Sequence, residues 1–254
     1  QFNSSLPLIK DNGKYQNIFK PKFSLKISPE NTKDISSEVH RMDVNNIFSL
    51  NRLSIDDTVE GGLSLTYGSD FVITENDTSN EFFSFKIANN LRFKDNEDLP
   101  RGNQIGSKTS NFFSEINFSP NEIIKTKYNA STKNNLTDIN YESFIAEISL
   151  NNFVTSFDYV NENDTLKKNS YLLNTTKFSF DKSNSLILST RENKTSDLTE
   201  YYNFMYQYKN DCLAASIEYN KDYYDDRDIK PEENIFLKLT IIPFGETSSP
   251  NLKD

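Results

Sequence analysis

Apolar and polar residues alternate with a period of two along almost the whole chain, and helical spacing is scarce. In residues 59–67, "VEGGLSLTY", Val59, Gly61, Leu63, Leu65 and Tyr67 share one face, while Glu60, Gly62, Ser64 and Thr66 share the other. Phe112, Ile116 and Phe118 oppose Glu115 and Asn117. Phe153, Phe157 and Tyr159 oppose Ser156 and Asp158. Tyr202, Phe204, Tyr206 and Tyr208 oppose Asn203, Gln207 and Lys209. Leu213, Ala215, Ile217 and Tyr219 oppose Ser216, Glu218 and Asn220. Ile235, Leu237, Leu239 and Ile241 oppose Lys238 and Thr240. One run is mixed: "SYLLNTTKFSF" puts Asn174 on the face of Phe178 and Phe180. Several runs approach the length at which a tilted strand crosses a bilayer, about 9–11 residues.

The connections sort by length. Short ones are predicted near 77–80, 119–121, 151–152, 181–184 and 209–211. Long ones are predicted at 95–110, 133–139, 161–169, 193–200 and 222–234. Each strand reverses direction, so the short turns gather at one end and the long loops at the other. Outer-membrane barrels show this asymmetry, with short periplasmic turns and longer extracellular loops. Counting back from the C-terminus gives about twelve strands, the earliest being "YQNIFKPKFSLKIS". Residues 29–57 then form one long outer loop, in which 47–52, "IFSLNR", is a possible extra strand. The final strand, 234–244, runs inward and leaves the C-terminus in the periplasm. Residues 1–245 read as barrel strands with their connections, and 246–254 as a polar periplasmic tail. The alternative is a soluble all-β protein with one face in a core and one face wet.

Composition narrows these options. Hydrophobic residues make up only 35% of 254, yet there are 20 Phe and 13 Tyr and no Trp. That balance suits strands that keep half their residues on a wet face. The Asn, Ser, Thr and Lys content would suit disorder, but the regular aromatic alternation argues against it. A net charge of -9 lacks the basic footprint of a nucleic-acid binder, so no nucleic-acid partner is expected. No apolar run is long enough for a membrane helix, which leaves a barrel open. The chain starts at Gln1 without a visible leader and reads as a mature or trimmed piece of something longer.

Candidate chemistry is sparse. His40, in "SSEVHRMD", is the only histidine and reads as a solvated loop residue. No metal motif or phosphate loop occurs, so no metal and no cofactor is expected. The Gly61-Gly62 doublet marks a bend or a close approach. The acidic segment 222–233, "DYYDDRDIKPEE", lacks EF-hand spacing and reads as surface loop. The Asn-x-Ser/Thr triplets at Asn76 and Asn163 are expected by chance in so Asn-rich a chain. Cys212 is the only cysteine and follows a tight turn at the periplasmic end of the next-to-last strand. In an oxidising compartment a thiol tends to be paired, and a lone one points to a partner elsewhere. A small residue that happens to be Cys is the other reading.

Three stretches resemble the lipopolysaccharide-assembly outer-membrane protein family, LptD. They are "YKNDCLAASIEYNKDYYDDRDIKPEENIFLKLTIIPFG" at 208–245, "IFSLNRLSIDDTVEGGLSLTYG" at 47–68, and "NIFKPKFSLKIS" with its embedded Pro21. The resemblance implies the C-terminal half of a larger, 26-stranded antiparallel barrel, within the range such barrels reach, about 8 to 26 strands and beyond. It implies a translocon that inserts lipopolysaccharide into the outer leaflet, with no bond-making chemistry. Lipid A would leave through a lateral gate at the last strand, here Ile235, Phe236, Leu237, Lys238, Leu239, Thr240, Ile241, Ile242 and Pro243. The implied partners are lipopolysaccharide, outer-membrane lipid, an LptE-like lipoprotein plug, and the periplasmic bridge met through an N-terminal domain. A disulfide from Cys212 to that absent domain is also implied. Here the turn reads Asp211-Cys212 where the family's best-known pattern has two adjacent cysteines, which leaves one bridge at most from this turn. Another outer-membrane barrel, such as a porin or solute receptor, is the alternative. A barrel enzyme is disfavoured by the single, motif-free His40.

Overall fold

Alternating side chains stack on opposite faces of a pleated strand, and strands form wherever the alternation runs unbroken. The structure, a computed structural model, describes all residues except 31, 39, 164–167, 224–230, 242–244 and 249–254, and only the backbone of 245–248. The strands are β1 (Phe2–Ser5), β2 (Leu8–Asp11), β3 (Tyr15–Ser28), β4 (Gly62–Glu75), β5 (Glu81–Arg92), β6 (Phe112–Phe118), β7 (Ile124–Thr132), β8 (Ile139–Leu150), β9 (Phe153–Asn163), β10 (Lys168–Ser179), β11 (Asn184–Asn193), β12 (Leu198–Lys209), β13 (Leu213–Asp222), β14 (Glu233–Ile241) and β15 (Gly245–Ser248). There is no helix among the described residues. The strands from β3 to β14 are those the alternation predicts; β1, β2 and β15 are short additions. Order in the sheet follows order in the chain from β3 onward, and β1 and β15 stand at the ends of an unclosed sheet.

The chain divides into two compact units, one of 1–121, 125–144 and 161–168, the other of 122–124, 145–160 and 169–254. In the first unit β1 and β2 both pair antiparallel with β3, and β3 to β7 form an antiparallel meander. The break between β1 and β2 faces Lys20 and Pro21. Pro21 has no N–H to give a ladder, and its carbonyl instead accepts from the Leu6 N–H at 3.2 Å.

The faces of this sheet are inverted relative to a soluble protein. On one face, Ser24, Ser64, Thr66, Ser84, Asn90, Arg92 and Glu115 are buried. On the other, Phe19, Phe23, Leu25, Ile27, Leu91 and Phe118 are exposed. The cover over the polar face comes from the connections 29–61 and 93–111. Ile35, Met42, Val44, Ile47 and Leu53 of the first, with Leu99 and Ile105 of the second, pack onto Ala88 and Phe113. The buried apolar core of this unit thus lies between loops and the polar face, not between two sheets. Residues 47–52 form turns rather than an extra strand: Ile47 is buried in that cover and Phe48 packs against it, while Leu50 is exposed.

In the second unit, β10 to β15 form an antiparallel meander. The rows Leu188, Phe204, Tyr219, Ile235 and Leu186, Tyr206, Ile217, Leu237 cross four strands on one face. Leu188, Phe204, Tyr206, Ile217, Ile235 and Leu237 are exposed. The facing rows are Ser189, Asn203, Asn220, Asn234 and Ser185, Gln207, Ser216, Lys238. Here Ser185 and Ser216 are buried.

The loop asymmetry is weaker than the sequence predicts. Connections 29–61 and 93–111 are long beside 76–80 and 119–123. Strands β11 and β12 run to Asn193 and from Leu198, so the connection expected at 193–200 shrinks to 194–197, no longer than the turn at 180–183. Part of the expected loops at 161–169 and 222–234 lies outside the described residues.

Candidate functional site

The polar face of the first unit carries the densest constellation. Arg52, in loop 29–61, is 1% exposed and lies against strands β4 and β5. Its Nε donates to Glu60 Oε2 at 2.8 Å, and its Nη2 also bonds Glu60. Its Nη1 donates to Thr66 Oγ1 and Asn90 Oδ1, both at 2.9 Å. Glu60 further takes Arg92 Nη1 at 2.6 Å and Lys26 Nζ at 3.0 Å. One carboxylate therefore faces three cations, and two further donors find carbonyls: Lys26 reaches Leu50 O at 2.9 Å, and Arg92 Nη2 reaches Gly61 O, while Arg92 Nε is buried without a partner among the described residues. Burial pushes the Glu60 carboxyl up. The Arg52 hydrogen bond and charge, with the Lys26 charge, outweigh it and hold it down at about 2.

Register explains the meeting. Lys26, Ser64 and Arg92 lie in one row across β3, β4 and β5, and Ser24, Thr66 and Asn90 in the next. Gly61 lets the loop close over them, since a Cβ there would stand 2.6 Å from Pro29 O. Gly62 opens β4 at φ +91°, a conformation glycine adopts without steric cost. The doublet is a close approach and a bend at the start of a strand. A second cluster lies nearer the middle of the strands. Glu115 takes Lys86 Nζ at 2.7 Å, Lys127 Nζ at 2.9 Å and Asn45 Nδ2 from the loop at 3.3 Å.

These clusters hold loop 29–61 onto a polar surface; they do not make a reacting pair. His40 Nε2 lies 2.8 Å from Arg52 O, and His40 O accepts from Asn103 Nδ2 at 3.0 Å. It is half-buried within the loop cover rather than solvated, and its contact is with backbone. Among the described residues no group of three or more His, Cys, Asp or Glu is placed to hold a metal ion.

The sequence-predicted site residues fall in the second unit. Cys212 is exposed and unbonded, in the turn between β12 and β13. Asn210 Oδ1 shapes that turn by accepting from the N–H of Cys212 at 2.9 Å and of Leu213 at 2.8 Å. Ile235, Leu237, Leu239 and Ile241 lie on the exposed apolar face of β14. Phe236, Lys238 and Thr240 alternate with them. Ile242 and Pro243 lie outside the described residues. β14 is not the edge of the sheet along its whole length, because Lys238–Ile241 pair with β15. Cys212 and β14 belong to the second unit, and the ion clusters belong to the first.

The family model for LPS transport system D matches residues 2–182. The chain belongs to the LptD family. LptD is a lipopolysaccharide-transport family of the outer membrane. The match includes "NIFKPKFSLKIS" and the 47–68 segment, hence Arg52, Glu60 and both long connections. Cys212 and β14 lie beyond the matched residues. A comparison with curated proteins finds no match.

The ion clusters were missed by reading the sequence, although Glu60 was placed on the polar face and Arg52 stood inside the quoted "SLNRLSIDD". Their signal is charge at polar-face positions of successive strands: Lys26, Lys86, Arg92 and Glu115.

Proposed function

We propose that this chain is part of the outer-membrane barrel that inserts lipopolysaccharide into the outer leaflet. One observation carries the reading: the first unit buries the polar face of its strands, and both units expose an aromatic and aliphatic face. Such a surface is costly in water and suited to lipid, where a closed barrel also pairs every backbone group. The open sheet is then the C-terminal half of a larger barrel, completed by earlier strands. The polar face lines the lumen, where a lipoprotein plug of the LptE kind sits. The long connections 29–61 and 93–111 join the strands at the extracellular end and fold inward over the polar face, and β14 ends at the periplasmic side. Cys212, on a periplasmic turn, bonds a cysteine of an N-terminal domain and ties the barrel to the periplasmic bridge. The segment from Ile235 to Pro243 forms the lateral seam through which lipid A leaves. Opening it requires the short β15 pairing with Lys238–Ile241 to give way.

The test is conditional depletion of the intact protein, with lipopolysaccharide followed by surface labelling and membrane fractionation. The reading predicts that new lipopolysaccharide disappears from the cell surface and accumulates at the inner membrane. Unchanged surface lipopolysaccharide, with loss of uptake of a small solute, would contradict it and identify a porin or receptor.

A further inference from the structure

The exposed apolar face of the first unit is not uniform. Three cross-strand rows run over it. Phe23, Tyr67 and Asn89 form one, Pro21, Ser69 and Ile87 the next, and Phe19, Phe71 and Phe85 the third. The middle row is low, because Pro21 and Ser69 are short side chains between tall aromatic ones. The result is an open groove of about 350 Å³ that starts beside Phe19 and ends at Phe112 on β6. Ligand sites begin at about this size, roughly 300–1,000 Å³.

No charged side chain lines the groove. Its one amide is closed off: Asn89 Nδ2 donates to Ser110 O at 2.9 Å and to Asn111 O at 3.1 Å, and Asn89 Oδ1, which has no partner among the described residues, is buried out of reach. These bonds bridge the place where β5 and β6 part, since their ladder ends at Ala88 and Phe113. Asn89 is 1% exposed and turns no donor outward. An occupant therefore needs neither charge nor a matching polar group; it needs a flexible apolar body. The groove is continuous with Phe19, Phe23 and Leu25, which are exposed on the face that meets the bilayer in an outer-membrane protein.

We infer that this groove is a binding site for one fatty-acyl chain of a bilayer lipid, held more tightly than the lipid around the rest of the apolar face. The inference rests on the outer-membrane reading above. Pro21 and Ser69 make the site by leaving the middle row low, and Phe19, Phe23, Tyr67 and Phe112 wall it.

The test is lipid photo-crosslinking in the intact protein. A benzophenone amino acid replaces Tyr67 at the groove wall, or Phe204 on the open apolar face as a control. Samples are irradiated in native membranes and again after extensive detergent exchange, and lipid adducts are read by mass spectrometry. Both positions give lipid adducts in membranes. After exchange, the site predicts that position 67 keeps at least fivefold more adduct than position 204. Ser69→Phe, which fills the groove, removes that excess, and the smaller Ser69→Val reduces it if the larger variant does not fold. Equal loss of adduct at both positions would overturn the site while leaving the outer-membrane reading intact. Crosslinks at position 67 to a protein would overturn it in favour of a protein partner. No lipid adduct at either position in membranes would overturn both the site and the outer-membrane reading.

Discussion

Replacing Glu60 by Gln removes the one anion among Arg52, Arg92 and Lys26 while keeping the side chain's shape. The Glu60 carboxyl is held at about 2 against an ordinary 4.5. At about 1.4 kcal/mol per pKa unit, that difference corresponds to about 3 kcal/mol favouring the charged, clamped state. The same figure follows from another direction. Removing one partner of a buried ion pair costs about 3–5 kcal/mol, because the remaining charge stays buried, and the Glu60 side chain is 2% exposed. The loss falls on loop 29–61, which this carboxylate ties to β3 and β5. Hydrogen exchange in the intact, membrane-embedded protein should read it as roughly 100-fold faster exchange across residues 35–53, at about 1.4 kcal/mol per tenfold. Strand amides of β11 to β13 should be unchanged. The double variant Arg52→Met with Glu60→Met should lose less than the single changes summed, because it leaves fewer unpaired charges. The sign with pH is fixed. A carboxylate held below its unfolded value contributes fully above about 4.5, and that contribution is lost as pH falls toward about 2. Exchange in Glu60→Gln within twofold of wild type would refute the clamp.

Three further outcomes are expected. Cys212→Ser should abolish a mobility difference between reducing and non-reducing gels of the intact protein; no difference in wild type would make Cys212 a small residue on a turn. Leu237→Lys, on the exposed apolar face of β14, should cost about 2–4 kcal/mol of stability in a bilayer, while Lys in place of Gln207 on the polar face should cost under 1 kcal/mol; equal costs in bilayer unfolding titrations would count against the face assignment. Gly61→Ala drives a Cβ to 2.6 Å from Pro29 O and 2.7 Å from Thr32 Oγ1, so protease cleavage within 29–61 should rise; an unchanged digestion pattern would show that the loop start can shift freely.

Strand positions were legible because period-two alternation is local, and the run "YQNIFKPKFSLKIS" is β3 itself. Which face is buried was not decidable from alternation, since a soluble sandwich and a membrane barrel alternate alike. The packing of residues 29–61 on Ser64, Thr66 and Asn90 decides it. The ion clusters were illegible for the same reason: Arg52, Glu60 and Arg92 meet through register and a returning loop, and none forms a local motif. Loop lengths were overestimated at 193–200 because Asn, Glu and Thr at strand ends read as loop, whereas Asn193 and Glu200 pair across the hairpin at 2.9 Å. The break in the β5–β6 ladder left no sequence signal, and the groove beside it was likewise found only in space.

The central claim is that the apolar face meets lipid and the polar face meets water. Spin labels placed singly at 203, 204, 205, 206 and 207 of β12, in a Cys212→Ser background of the intact protein, test it directly. In native membranes, collision with dissolved oxygen should peak at 204 and 206, and collision with a water-soluble nickel chelate at 203, 205 and 207. Accessibility to the chelate at 204 and 206, equal to that at 203 and 207, would contradict the account.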